Sequence, residues 1–271
     1  MNKDNSFLRS IRTALGLPQG SSRSKETYPD LFAQPDTSKL LAQIKGRTGQ
    51  EKQDLVEQCK INAAEINLAT HMACSNEEAR SIIVELVRSK EPEFSFNKHI
   101  IQHDHPDLNA LQLWKKFNRE AITVHTSFYT DRQVREKTEN SFIGITAPSL
   151  MVAESATLVQ LTSAGCPRST SLVPSIHIAL VRQENFVATL EEAYAILGEK
   201  EIQNSFVFIS GPSKTADIEA HMVHGAHGPR ELHLIILAEQ EQKEEEEVLE
   251  APDNSSAADD ERSESIESQR E

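Results

Sequence analysis

Cysteine is scarce in this 271-residue chain, and the spacing of the few cysteines excludes two classes of site. Cys59, Cys74 and Cys166 are odd in number, lie far apart and form no C-x-x-C motif. A disulfide framework is therefore not expected, and we predict reduced thiols instead. Because iron–sulfur clusters are usually held by four thiolates, we expect no cofactor bound by this chain itself.

Long apolar runs are also missing, and their absence sets expectations about location. No run approaches the roughly 18 apolar residues that a membrane-spanning helix needs. Residues 1–17 lack both a continuous apolar core and a small-residue cleavage site, so no signal peptide is predicted. We therefore expect a cytoplasmic protein without a membrane span.

Positive charge is scarce at one end of the chain. Residues 239–271 contain 14 acidic and three basic residues, whereas the formal net charge of the whole chain is −14. Residues 1–238 therefore carry a formal net charge of only −3. No basic face is implied, and nucleic acid is not an expected partner. A segment with few apolar residues and charge of one sign cannot offset its ordering entropy. We predict that residues 239–271 form a disordered acidic tail.

The rest of the chain alternates between strand-like and helix-like segments. Residues 1–37 are predicted to hold a short amphipathic helix at Phe7–Leu15 and a polar linker. From 38 to 238, apolar runs such as "SIHIALV" alternate with segments such as "SNEEARSIIVELVRSK", which begins with a helix-capping Ser75 or Asn76. This alternation predicts an α/β domain with a mostly parallel sheet flanked by helices. Within it, "LMVAES" and "TLVQLTS" predict a hairpin.

A polar segment, "GPSKTADIE" (Gly211–Glu219), follows the apolar run "SFVFI". If that run is a strand of the sheet, the segment lies beyond its carboxyl end, where open α/β sheets bind ligands. Ser213, Thr215 and free backbone N–H groups at the start of a helical turn are then placed to face an anion, and Lys214 adds positive charge. Asp217 is a further ligand-binding candidate, although it suits a cap of that turn equally well. The alternative is a well-capped loop that binds nothing.

A second polar segment, "HGAHGPREL" (His224–Leu232), leads into the apolar run "LHLIIL". We predict that His227 and Arg230 line a pocket and that Gly228 shapes the turn, because the planar guanidinium suits carboxylates and phosphates. The alternative for Arg230 is a surface ion pair with Glu231. The two polar segments are expected to lie side by side at one edge of the sheet and to form a single anion pocket.

Glu154 and Thr157 complete the predicted ligand-binding set. Glu154 lies at the tip of the predicted hairpin, where it either orients a ligand or caps the turn. His177, between two isoleucines, is predicted to be a buried and hydrogen-bonded core histidine. Neither the His103–His105 segment nor the histidines around Gly225 are predicted to bind a metal. The P-loop, dinucleotide-binding and nucleophile-elbow patterns do not occur.

Several segments, taken in order, resemble the LUD-domain family and, within it, the lactate-utilization protein C group. They are "FLRSIRTALG", "DHPDL", "GIT" followed by "MVAESATLVQL", "SLVPSIHIALV" and "GPSKTADIEAHMVHGAHGPRELHLIIL". The resemblance implies an α/β fold of the NagB/RpiA/CoA-transferase type. It also implies a role in oxidising L-lactate to pyruvate with two iron–sulfur partner proteins, which would carry the clusters.

The resemblance transfers no catalytic residue, so the chain is either an enzyme or an accessory subunit of such a complex. One alternative is an independent enzyme or binder of an anionic metabolite, such as a CoA ester or a sugar phosphate. Another is a scaffold without a pocket. The chain departs from the family pattern at Ala156, where a glycine would adopt positive φ more easily, and at polar Gln160. The ligand-binding candidates are Glu154, Thr157, Ser213, Lys214, Thr215, Asp217, His227, Gly228 and Arg230.

Overall fold

The computed structural model describes residues 3–16, 26, 29, 36–92, 97–199, 205–216, 222–225 and 227–238. All of them belong to one unit of the chain, Met1–Glu239. The predicted acidic tail, most of the predicted linker and Asp217 lie outside the described residues. Near the start of the chain, helix α1 spans Lys3–Ala14 and so begins before the predicted Phe7.

Six parallel strands form the main sheet. In spatial order they are Ala69–Ala73 (β1), Glu231–Leu237 (β12), Ile176–Arg182 (β7), Ile143–Thr146 (β4), Lys98–Gln102 (β2) and Ile122–His125 (β3). Parallel strands covered on both faces read as nearly continuous apolar runs, which explains segments such as "SIHIALV". The prediction of an α/β fold with a mostly parallel sheet is confirmed.

A second sheet contains four strands. They are, in spatial order, Phe186–Val187 (β8), Leu150–Val152 (β5), Thr157–Leu161 (β6) and Phe206–Ile209 (β9). Strands β5 and β6 are antiparallel neighbours, as the predicted hairpin requires. Strand β9 also pairs antiparallel, with β6. The strand in "SFVFI" is therefore not part of the parallel sheet, because the free edge of the hairpin, rather than a parallel neighbour, supplies its hydrogen bonds.

A short antiparallel ribbon follows β9. Its strands are Lys214–Ala216 (β10) and Met222–His224 (β11), and the register places Lys214 opposite His224. The prediction that a helical turn begins here is wrong. The backbone is extended instead, because the ladder to β11 satisfies its N–H and C=O groups, which must find partners in any fold.

Helices lie on both faces of the main sheet. They are, after α1, Ser38–Lys45 (α2), Gly49–Glu65 (α3), Asn76–Ser89 (α4), Pro106–Ala110 (α5), Leu113–Lys116 (α6), Asp131–Asn140 (α7), Ser169–Leu172 (α8) and Leu190–Gly198 (α9). Helices α4 to α6 share a core with one face of the sheet. Helix α3 and the second sheet pack on the other face, and α9 packs on the far side of the second sheet. Within the described ranges, no helix combines the length and the apolar character needed to cross a bilayer.

The local chemistry of α4 shows why these residues form a helix. The Ser75 hydroxyl accepts the backbone N–H of Glu78 at 3.2 Å, as the predicted cap requires. Two glutamates in the first turn and Arg88 in the last turn suit the helix dipole. Ile83 and Val87 on the inner face are fully buried, and each such side chain contributes roughly 1.5–3 kcal/mol to folding.

Candidate functional site

The two polar segments meet at Ser213. Its backbone N–H donates to the carbonyl of Pro229 at 2.8 Å, and its own carbonyl accepts the N–H of Gly225 at 3.0 Å. The N–H of His227 donates to the Ser213 hydroxyl at 3.4 Å. We call residues 210–213 the first loop and residues 225 and 227–230 the second loop. The pairing of β10 with β11 continues the contact beyond Ser213.

Two glycines determine the shape of these loops. Gly211 and Gly225 both have φ of +82°, a conformation that other residues adopt only with strain. A Cβ atom on Gly211 would lie 3.0 Å from the carbonyl oxygen of Ile66, and one on Gly225 would lie 2.9 Å from the Cβ of Arg230. Gly228 is less restricted, since its Cβ would lie 3.3 Å from that of Ser213. Glycine at 211 therefore lets the first loop lie against the end of α3, and glycine at 225 permits the tight fold of the second loop.

The two cations of the predicted pocket each have a protein partner. Lys214 Nζ donates to the carbonyl of Ile66 at 3.0 Å. Ile66 is the C-cap of α3, so the ammonium group lies at the negative end of that helix dipole. Arg230 Nε lies 3.7 Å from Glu231 Oε1. This is the ion pair that the sequence offered as the alternative to a role of Arg230 in the pocket. Sharing of one anion by Lys214 and Arg230 stays a prediction.

The second loop lies at the amino-terminal edge of the main sheet, not at the carboxyl edge. Arg230 immediately precedes β12, and its N–H donates to the carbonyl of Ser175, just before β7. The first loop follows β9 of the second sheet. The expectation that the first polar segment lies beyond the carboxyl ends of the parallel strands is therefore wrong, because β9 runs in the other sheet.

The hairpin tip joins the first loop through hydroxyl groups. Thr157 Oγ1 lies 2.7 Å from Ser210 Oγ and 2.8 Å from Ser155 Oγ. Glu154 Oε1 accepts the N–H of Leu190, the first residue of α9, at 2.9 Å. This bond directs the carboxylate to the start of α9 and not to either of the two loops. Ala156 has φ of 46°, the left-handed conformation for which glycine is better suited.

The other predicted residues are described only in part. His227 is exposed, and the structure describes the backbone of Thr215 but not its side chain. The histidines of the other cluster do not act together: the His103 ring is buried, whereas His105 Nδ1 accepts the N–H of Asp107 and caps α5. His177 is buried and bonded to Thr146, as predicted for a core histidine. Sequence reasoning gave no sign that His103, just after β2, and His177, in β7, would flank the same strand, β4.

Comparison with known proteins gives one family match and several relatives. The model of the LUD domain matches residues 56–237. Lactate utilization protein C of Halalkalibacterium halodurans is 33% identical over 149 residues, which cover 53% of this chain and 64% of that protein. Lactate utilization protein C of Shouchella clausii is 31% identical over 147 residues, with the same coverage. This chain thus spans just under two thirds of the length of these relatives.

A crystal structure of a DUF162 family protein from Deinococcus radiodurans is also similar. It has 17% sequence identity and a TM-score of 0.49, and the match covers 69% of this chain and 98% of that chain. The match to the LUD domain model begins in α3 and ends at the last residue of β12. The chain belongs to the LUD domain family.

Proposed function

We propose that this chain acts in lactate utilization, as a cytoplasmic subunit that works with two iron–sulfur proteins in oxidising L-lactate to pyruvate. The observation that carries the proposal is similarity to proteins named lactate utilization protein C, together with the LUD domain match. In this scheme the partners carry the iron–sulfur clusters. The chain itself contributes a binding surface, and no residue is assigned a catalytic role.

We place that surface at the junction of the first and second loops. The geometry supports it because hydrogen bonds through Ser213 hold the two loops together. A small carboxylate at this junction would accept hydrogen bonds from Lys214 and from His227, whose side chain is exposed. The bond from Lys214 to Ile66 is solvent-exposed, so its exchange for a ligand bond costs little.

The proposal is tested by growth of the native host on L-lactate. We expect deletion of the gene to impair growth and the full-length chain to restore it. The double variant Lys214→Ala, Arg230→Ala should fail to restore growth while unfolding at the same urea concentration as the unchanged chain. Tagged protein should also bring down iron–sulfur proteins from that host.

The matched control is the double variant Lys60→Ala, Arg135→Ala. It removes the same two kinds of charge from surface pairs with Glu57 and Glu139, and such pairs contribute little to stability. This control should support normal growth. Normal growth of the deletion strain on L-lactate would count decisively against the proposed function.

The second candidate is independent binding of an anionic metabolite. It is favoured by the fact that both loops come from this chain and bond directly to each other. Acetyl-CoA, ribose 5-phosphate and L-lactate can be compared by thermal unfolding, because a ligand that binds only the folded state at 100 times its Kd stabilises that state by about 2.7 kcal/mol. A shift with acetyl-CoA or ribose 5-phosphate, but not with L-lactate, would favour this candidate.

A further inference from the structure

Five polar side chains are fully buried between the main sheet and the elements that cover it. We call them the interior cluster: His103, Thr146, Gln160, Thr170 and His177, each with 0% exposure. Thr146 and His177 belong to β4 and β7, His103 follows β2, Thr170 lies in α8, and Gln160 lies in β6. The cluster shares no residue with the two loops, although His177 lies only two residues after Ser175, whose carbonyl accepts the N–H of Arg230.

Hydrogen bonds and backbone contacts hold four of these residues together. Thr146 Oγ1 lies 2.7 Å from His177 Nε2. The N–H of His103 donates to the carbonyl of Ile145, the residue before Thr146. His103 Nε2 lies 3.3 Å from the carbonyl oxygen of Pro167, which also accepts the N–H of Thr170. These residues therefore share one region of the interior.

Gln160 joins the cluster from the second sheet. Side chains alternate along a strand, so Gln160 points to the same side as Leu158, which packs in one core with Ala179 of β7. The N–H of Ser149 donates to the carbonyl of Val159 at 2.8 Å, which holds this part of β6 close to the end of β4. The side chain of Gln160 thus faces the main sheet, on the part of β6 that lies beside the end of β4.

The cluster offers hydrogen-bonding atoms that no described residue engages. They are Nδ1 of His103, Nδ1 of His177, Oγ1 of Thr170 and both amide atoms of Gln160. Buried polar atoms in folded proteins nearly always have partners. Five such atoms from four side chains point to an occupant that both donates and accepts hydrogen bonds.

The chemistry of the two imidazoles restricts that occupant. Burial lowers the pKa of His103 to about 4 and that of His177 to about 3, so both rings are neutral near pH 7. The Pro167 carbonyl only accepts, so His103 Nε2 carries the ring proton and Nδ1 is an acceptor. A charged ligand would meet no opposite charge among these five side chains, and an unpaired buried charge is very costly.

We propose that the interior cluster binds a small uncharged molecule with both a hydrogen-bond donor and an acceptor, of the carboxamide or alcohol class. The ligand donates to Nδ1 of His103 and exchanges hydrogen bonds with the amide of Gln160 and the hydroxyl of Thr170. The surface proposed at the junction of the first and second loops, called the anion surface below, binds a charged ligand, whereas the interior site binds a neutral one. The interior site does not depend on the proposed function.

In this proposal, a ligand reaches the site past the segment 162–168. It lies over the end of β2, where Gly165 accepts the N–H of Asp104 at 2.9 Å and Pro167 accepts from His103. Ser163 and Ala164 of the segment are exposed. Its displacement would expose His103 to solvent without separating any strands of the main sheet.

The test uses the full chain and three neutral probes: L-lactamide, acetamide and 2-propanol. Calorimetry and thermal unfolding should show binding of at least one of them to the unchanged chain. The variant Gln160→Met keeps a similar volume but removes both amide atoms, and it should fold normally while losing affinity by about tenfold or more. Lys214→Ala should bind the neutral probe as the unchanged chain does.

The same measurements separate this site from the anion surface. L-lactate is the charged counterpart of L-lactamide, and its binding should respond to Lys214→Ala but not to Gln160→Met. Failure of L-lactate alone leaves the interior site standing and removes the binding of lactate at the two loops. Failure of all three neutral probes, or a probe-soaked crystal with only ordered water between His103 and His177, would overturn the interior site.

Discussion

At the scale of single residues, Gly144 is the position least able to accept a side chain. A Cβ atom there would lie 1.8 Å from the carbonyl oxygen of Thr170, closer than any two such atoms approach. We predict that Gly144→Ala lowers the free energy of unfolding by about 3 kcal/mol or more, because β4 and α8 must separate. Urea denaturation, followed by circular dichroism, measures the loss.

Gly49→Ala is the matched control for this prediction. Gly49 is the first residue of α3, and nothing lies within 4 Å of the position its Cβ would take. Alanine should stabilise the helix there by up to about 1 kcal/mol. Equal stability of the two alanine variants would show that β4 and α8 do not pack as described.

At the scale of secondary-structure elements, a buried ion pair connects the turn between α2 and α3 with α9. Arg47, between α2 and α3, pairs with Glu192 in the first turn of α9, and their side chains are only 11% and 7% exposed. Glu192 also accepts the N–H of Ala188 at 2.7 Å. We predict that Arg47→Met destabilises the protein by about 3–5 kcal/mol, because it leaves a buried carboxylate without its cation. Urea denaturation gives the value.

The double variant Arg47→Met, Glu192→Met separates pairing from packing. Replacement of both charges by apolar side chains of similar size removes the unpaired charge, so much of the lost stability should return. If Arg47→Met alone costs less than about 1 kcal/mol, which is typical of exposed pairs, then Arg47 and Glu192 do not form a buried pair in solution.

At the scale of the whole molecule, buried histidines make stability depend on pH. The folded protein keeps His103 and His177 neutral down to pKa values of about 4 and about 3. The unfolded chain takes up protons at both near its ordinary pKa of about 6.5. The unfolded state therefore binds more protons below that pH, and stability falls as pH falls.

We predict that each of these histidines lowers the free energy of unfolding by about 1.4 kcal/mol per pH unit between about pH 6 and pH 4. Burial also lowers the pKa of His71, His125 and His233. These three histidines therefore also lower the free energy of unfolding as the pH falls. Urea titrations at a series of pH values measure the slope. A chain equally stable at pH 7 and pH 4 would contradict the prediction, and His177→Gln should make the slope shallower.

The candidate site was predictable only in part. Ser213 brings the two polar segments together, as their composition suggested, and the hairpin tip contacts the first loop through Thr157 and Ser210. The prediction that the first polar segment follows a strand of the parallel sheet was wrong, because β9 joins the second sheet. An apolar strand pattern does not specify which sheet the strand joins. The bonding partners of Lys214 and Arg230 could not be predicted for a related reason. Their long side chains bind whatever acceptor the fold brings within reach.

The sequence by itself determined the start of α4 at Ser75, the hairpin between β5 and β6, and the alternation that produces a parallel sheet. These features arise from capping, turns and hydrophobic periodicity, which act between residues a few positions apart. Only the tertiary structure decided that β9 joins β6, that the two loops meet at the amino-terminal edge, and that His103, Gln160 and His177 share the interior. Those outcomes depend on contacts between segments far apart in the chain, and the same local pattern is compatible with more than one such pairing.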